Sequence, residues 1–251
     1  NAIRKALRRG LDLRIATEGS RQAAEYDLSR FAVFLASNSG RTKEVVTLAR
    51  KLAESGHKNR FGLTANAGTA LEKECSETHV LDCGWEQAVA ATKSVVEQAF
   101  FYESIVRHIA GMEAWDSTML SDAIAAALTH EIDSAIVEAA AQAPTIFFAG
   151  YNDGVAEELT LKTNEITRKK SDFLEGTYAV HGVEEVMSPK DVVFVVDPIE
   201  EEIEKFQEVL VKGVGLKVVA IAGRLTPLPT IRVPDAGEMN PYVFLCAGWN
   251  L

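Results

Sequence analysis

The sequence predicts an α/β protein built from two parallel-sheet subdomains, each a three-layer αβα sandwich. Three observations carry that expectation. Short apolar runs alternate with amphipathic helical stretches, which is the pattern of βαβ units. The alternation is interrupted by two long helical stretches near the middle and resumes after Pro144. Finally, FAVFLASNSGRTKEVVTLARKLAESGHKNRFGLTA from Phe31 and VVFVVDPIEEEIEKFQEVLVKGVGLKVVAIAG from Val192 repeat strand, loop, helix, Gly turn and strand in the same order. That similarity reads as an internal duplication. The division is expected after Leu120, giving subdomains 1–120 and 121–251.

In chain order, a basic helix-like start (Arg4, Lys5, Arg8, Arg9) precedes Leu11 to Ala16, whose alternation reads as a strand. The apolar run Phe31 to Ala36 is a buried strand, and Val45, Val46, Leu48 and Leu52 give the next helix, Thr42 to Ser55, its apolar face. Arg60 to Thr64 and His79 to Asp82 are short strands separated by a turn at Asn66-Ala67-Gly68. From Glu86 to Met112, Val95, Ala99, Tyr102, Val106 and Ile109 form one helical stripe. A second helix is expected from Asp122 to Ala143. The second copy then supplies strand Thr145 to Ala149, helix Val155 to Lys170, strand Asp191 to Val196, helix Glu200 to Lys212 and strand Leu216 to Ala222.

Composition narrows the function classes. A chain of 251 residues with 47% apolar and 25% charged residues can bury a proper core. Net charge of −10 with pI near 5.1 argues against a nucleic-acid or anionic-membrane surface as the main partner. The three cysteines (Cys75, Cys83, Cys246) have no metal-ligand spacing and fit buried thiols in a reducing cytoplasm. No apolar run approaches the ~18 residues of a membrane span. No cofactor or metal site is expected. The chain starts at Asn1 and stops at Leu251 inside an apolar stretch, so further residues are expected at both ends.

Between the first strand and its helix lies Ser37-Asn38-Ser39-Gly40-Arg41-Thr42. A strand-to-helix turn presents free backbone N–H groups and the positive end of the helix dipole, which favour an anion. Hydroxyls of Ser37, Ser39 and Thr42 add donors, and Gly40 lets the backbone come close. The competing reading is a plain N-cap, since Ser and Thr are common there without any ligand. The second copy carries Asp197-Pro198-Ile199-Glu200 at this place, and acidic side chains repel phosphate, so only the first copy should hold the anion.

Farther on, Glu158, Lys162 and Glu165 sit at i, i+4 and i+7 of the helix after Tyr151, on one face. Sixteen residues beyond Glu165 comes His181-Gly182. Read alone, these residues are better described as a solvated Glu–Lys–Glu stripe and an ordinary loop histidine.

The motif SNSGRT resembles the Ser-x-Ser-Gly-x-Thr phosphate loop of the sugar isomerase (SIS) domain family. The segment Glu86 to Ser94 (EQAVAATKS) resembles the helix start that follows in that family. The Glu-x3-Lys-x2-Glu helix and the later His-Gly are similar to the isomerase half of glucosamine-6-phosphate synthases, including the sixteen-residue step. The match runs in order over most of the chain, across both copies. It implies two SIS subdomains of flavodoxin-like type and a phosphosugar ligand. Ser37, Asn38 (through its backbone), Ser39, Gly40 and Thr42 would then hold the phosphate, with Ala91 and Thr92 near the same pocket. Glu165 would move a proton between C1 and C2, His181 would help open the ring, and Glu158 and Lys162 would belong to the acid–base network. The resemblance also implies a cytoplasmic homodimer whose active site is shared, His181 reaching the phosphate pocket of the neighbouring chain. The loop Leu174 to Val180, small and polar, suits such a crossing, and the dimer would cover Tyr242 to Leu251.

Some features depart from the family. Its first hydroxyl loop and its C-terminal lysine tail have no counterpart in this sequence, no glutaminase domain precedes the SIS halves, and Arg41 stands where the synthase has Glu. Three functions fit: aldose–ketose isomerisation of a 6-phosphosugar through a cis-enediol, deamination or deglycation of an amino or glycated 6-phosphosugar, and phosphosugar sensing without catalysis.

Overall fold

The computed structural model describes every residue from Asn1 to Leu251. The elements begin with α1 (Ala2–Arg8), α2 (Ser20–Ala23), β1 (Val33–Ala36), α3 (Lys43–Glu54), β2 (Arg60–Thr64), α4 (Ala70–Glu74), β3 (Glu77–Val80) and α5 (Lys93–Ile109). Next come α6 (Ser117–Thr129), α7 (Ser134–Gln142), β4 (Thr145–Gly150), α8 (Val155–Lys162), β5 (Lys170–Glu175) and β6 (Val192–Val196). The chain finishes with α9 (Ile203–Phe206), β7 (Lys217–Ala222), β8 (Thr230–Arg232) and α10 (Asn240–Asn250).

Two compact units result, one of residues 10–110 and one of residues 1–9 with 111–251. The division expected after Leu120 differs from this grouping, because α1 and the residues from Gly111 onward belong to the C-terminal unit. The physical reason lies in the basic face of α1. Arg4 stacks 3.8 Å from the Tyr151 ring centroid, and Lys5 donates to the carbonyl of Glu238.

In the N-terminal unit, β1, β2 and β3 pair in sequence order, all parallel. Leu35 meets Val45, Leu48, Ala49 and Leu52 of α3 and Leu71 of α4 on one face. On the other face, Leu63 meets Phe101 and Tyr102 of α5. That gives three layers, with the strand side chains alternating between them.

The C-terminal unit has a five-stranded parallel sheet in the order β5-β4-β6-β7-β8, the flavodoxin-like order. Its central strand β6, Val-Val-Phe-Val-Val, is buried along its whole length, as a parallel strand covered on both faces must be. Val193 and Val195 join a core with Ile203, Phe206 and Leu210 on one side. On the other side α8 and α10 approach so closely that a Cβ at Gly248 would lie 2.3 Å from Leu159. The three-layer parallel architecture therefore holds in both units, and β1–α3–β2 and β6–α9–β7 are the duplicated pieces.

Several local expectations are corrected. Leu11 to Ala16 has no strand partner and instead makes a tight turn, Leu13 N–H donating to Leu11 O at 2.8 Å. The single helix expected over 122–143 is two helices, because Asp133 caps a fresh start by accepting from Ala135 N–H at 2.8 Å. The helix expected to run to Lys170 ends near Thr167, where Arg168 takes a left-handed turn (φ 57°), and residues 170–175 pair with β4. The stretch Tyr242 to Ala247 is buried inside its own unit against α6 and α8, so it needs no dimer to cover it.

Candidate active site

The hydroxyl turn is fixed at both ends by backbone. Ser37 N–H donates to Leu63 O at 2.9 Å, and Gly40 N–H returns to Ser37 O at 2.9 Å. Gly40 has φ of 61°, and a Cβ there would lie 2.5 Å from the Thr69 side chain, so only glycine fits. The carbonyl of Asn38 accepts from Ala65 N–H (3.0 Å), Asn66 Nδ2 (3.1 Å) and Thr64 Oγ1 (3.2 Å). This bracing by the end of β2 escaped the sequence reading, which had Asn66 only as a turn residue.

Thr42 stands at the N-cap of α3, yet its hydroxyl makes no cap bond. It lies 2.8 Å from Ser37 Oγ instead, while Ser39 Oγ accepts from Arg41 N–H at 3.2 Å. The plain N-cap reading therefore does not describe this turn. A twelve-residue helix begins here with its first N–H groups uncapped by any side chain, and such groups need water or an anion.

Ala91 and Thr92 lie just before α5, half-buried. The N–H and hydroxyl of Thr92 both donate to the carboxylate of Glu86, at 2.7 and 3.0 Å. Because Glu86 folds back on this turn, α5 starts at Lys93 and not at Glu86.

In the C-terminal unit, α8 ends at Lys162 and Thr163 to Thr167 form a π turn that carries Glu165. Single π turns are rare and concentrate at functional sites. Asn164 pins this one to β5 with two bonds to the backbone of Ser171, at 3.0 and 3.2 Å. Lys162 is only 6% exposed, with Nζ 3.1 Å from Glu158 Oε1 and 2.8 Å from Glu165 Oε2. The expected grouping of these three residues is thus formed, through an altered helix.

The charges within it are unequal. Burial works against the Lys162 ammonium, but the two carboxylates outweigh it and hold the proton more firmly than usual. Burial raises Glu158, with Lys162 pulling only part of the way back. Lys162 therefore stays charged, and Glu158 is easier to protonate than an ordinary glutamate. Glu165 keeps 41% of its side chain exposed.

His181 shares no hydrogen bond with that group. It follows a tight turn at Tyr178–Val180, is exposed, and places Nε2 3.2 Å from Lys205 Nζ. The preceding loop is not the small polar segment expected, because Leu174, Ala179 and Val180 are buried in the core. Apolar side chains at these three positions outweigh the polar ones between them, and Glu175 and Tyr178 stand out, Tyr178 at 60% exposed.

A cavity of about 230 Å³ opens elsewhere in this unit, beyond the C-terminal ends of β4 and β6. Arg4 pairs there with Asp153 at 3.6 Å and Arg9 with Glu238, and Lys5 and Arg8 line it as well. It is not the hydroxyl turn.

No protein-family model matches the chain, and no curated protein matches it in sequence. Solved structures do match in fold. A Silicibacter pomeroyi protein bearing the name of a phosphosugar isomerase aligns over 99% of this chain and 79% of its own, at 23% identity and TM-score 0.78. Tagatose-6-phosphate ketose/aldose isomerase from Escherichia coli aligns over 99% of this chain and 75% of its own, at 17% identity and TM-score 0.77. Glucosamine-6-phosphate deaminase from Thermotoga maritima aligns over 99% and 79%, at 17% identity and TM-score 0.72. The chain has the sugar isomerase (SIS) type of fold that these proteins share.

Proposed function

We propose that the chain is a phosphosugar-binding SIS enzyme that interconverts an aldose and a ketose 6-phosphosugar. The observation that carries this is the uncapped N-terminus of α3, with Ser37, Ser39 and Thr42 beside it and no side chain supplying the missing acceptor. Phosphate fits that gap. The isomerisation needs no redox partner. Glu165 takes the proton from C2 of the open-chain aldose as the carbonyl oxygen gains one, giving the cis-enediol. Returning a proton to C1 while the C2 hydroxyl loses its own gives the ketose. His181 assists ring opening, and Lys162 and Glu158 hold Glu165 in place.

The site would be shared in a homodimer, His181 coming from the neighbouring chain, since within one chain His181 and Glu165 share no bond. A cytoplasmic setting fits the three free thiols. The second reading is release of an amine from an amino or glycated 6-phosphosugar on the same site, favoured by the fold it has in common with a deaminase. One assay separates them: incubate the protein with a panel of plain, amino and glycated 6-phosphosugars and follow both isomer and free amine. Isomer without amine supports the first reading. Amine establishes the second, and neither product removes both.

A further inference from the structure

Glu86 is a carboxylate with its acceptor sites filled from one short segment. Oε1 accepts from Thr92 N–H (2.7 Å), Thr92 Oγ1 (3.0 Å) and Lys93 N–H (3.0 Å). Oε2 accepts from the hydroxyl of Ser94, a fully buried residue, and from its N–H at 3.4 Å. The segment is tied from the other side as well, Glu97 accepting from Asp82 and Cys83 N–H at 2.6 and 2.7 Å, and Lys93 Nζ donating to Cys83 O at 2.6 Å. Burial pushes the Glu86 carboxyl upward, but the bonds from Ser94, Thr92 and Lys93 outweigh it and hold its pKa at about 2. At ordinary pH the group is a carboxylate, able only to accept.

Two consequences follow. The N-terminus of α5 already has its anion, supplied by the chain itself, whereas that of α3 has none. A phosphate is therefore directed to α3. Moreover, the Thr92 hydroxyl has given its only proton to Glu86, so toward any ligand Thr92 Oγ1 is an acceptor.

We propose that Glu86 positions Thr92 to accept a hydrogen bond from a donor group of the ligand, a sugar hydroxyl or amino group, and not to contact the phosphate. This rests on the reading above that Thr92 lines the phosphosugar pocket. An acceptor on the sugar end makes the pocket selective for the carbohydrate, while the donors of the α3 turn recognise only the phosphate.

Calorimetric titration of the full chain with a 6-phosphosugar that the wild type binds, and separately with inorganic phosphate, tests the assignment. Glu86→Gln should weaken the phosphosugar about tenfold and leave inorganic phosphate unchanged. Thr92→Val should do the same, Thr92→Ser should restore most of the affinity, and the Glu86→Gln, Thr92→Val pair should lose no more than either alone. Should Glu86→Gln fail to fold, Thr92→Val keeps Glu86 and its backbone bonds and carries the test by itself. Equal weakening of both ligands, additive losses, or no effect on the phosphosugar overturns the proposal. A wild type that binds no phosphosugar overturns the functional reading first, and is distinguished by needing no variant to show it.

Discussion

The two loops that follow β1 and β6 occupy the same place in their strand–helix–strand pieces and carry opposite chemistry. Ser37 N–H donates to Leu63 O and Asp197 N–H to Ile221 O, both at 2.9 Å, so Ser37 and Asp197 are equivalent positions. Three residues past those acceptors stand Asn66 and Arg224. Asn66 braces the Asn38 carbonyl, and Arg224 bonds both Asp197 Oδ1 (2.9 Å) and the Pro198 carbonyl. The first loop carries three hydroxyls, no acid and a single cation, Arg41, in front of an uncapped helix. The second fills the corresponding place with its own ion pair. The same backbone anchor thus precedes hydroxyls in one copy and an internal acid–base pair in the other. In the proposed function the C-terminal unit has its chemistry elsewhere, on the π turn after α8.

That contrast predicts a division of labour: binding of phosphate in the N-terminal unit, proton transfer in the C-terminal one. The strongest test is Glu165→Gln, which should cut kcat by on the order of 10²–10⁴-fold with phosphosugar affinity nearly intact, since an amide cannot take the proton. Loss of affinity in step with rate would show that the two functions are not separated. Mixing Glu165→Gln with His181→Ala under subunit exchange extends this. In the mixed dimers a shared site should restore about one working site in two, and exchange without recovery places both residues in one chain.

On the binding side, charge-assisted bonds to phosphate contribute about 1.5–3 kcal/mol each. Ser39→Ala should therefore raise KM about tenfold or more with kcat little changed. An unaltered KM removes the turn from the site.

The smallest effect is expected at the closed loop. Asp197 and Arg224 are both about 40% exposed, so Asp197→Ser should change stability by less than about 1 kcal/mol. It would also release Arg224 beside a serine, as in the open copy. Titration with inorganic phosphate, followed by NMR shifts of residues 197–200, should then show binding absent from the wild type. No new binding would mean that the ion pair is not what closes this loop.

Much of this was written locally in the chain. The central apolar run Val192 to Val196 marked a strand covered on both faces. The duplicated strand-loop-helix pieces gave the two parallel sheets, and the Glu-Lys-Glu spacing gave a contact that survives even with the helix altered. Patterns of this kind are legible because neighbouring residues impose them: side-chain alternation, helical periodicity and turn chemistry act over a few positions.

What the tertiary structure alone decided depends on partners remote in sequence. Leu11 to Ala16 alternates like a strand, but no neighbouring chain offers it a ladder. Residues 163–167 read as more of the same helix, yet the pairing of residues 170–175 with β4 and the Asn164–Ser171 bonds make them a π turn that presents Glu165. Glu86 reads as the first residue of a helix and becomes the anion at its N-terminus, because Thr92, Lys93 and Ser94 turn back to meet it. Whether Thr42 caps its own helix or bonds Ser37 cannot be read from SNSGRT, since both use the same hydroxyl. The folded turn settles it by placing Ser37 Oγ within 2.8 Å, and that choice leaves the start of α3 without a side-chain cap.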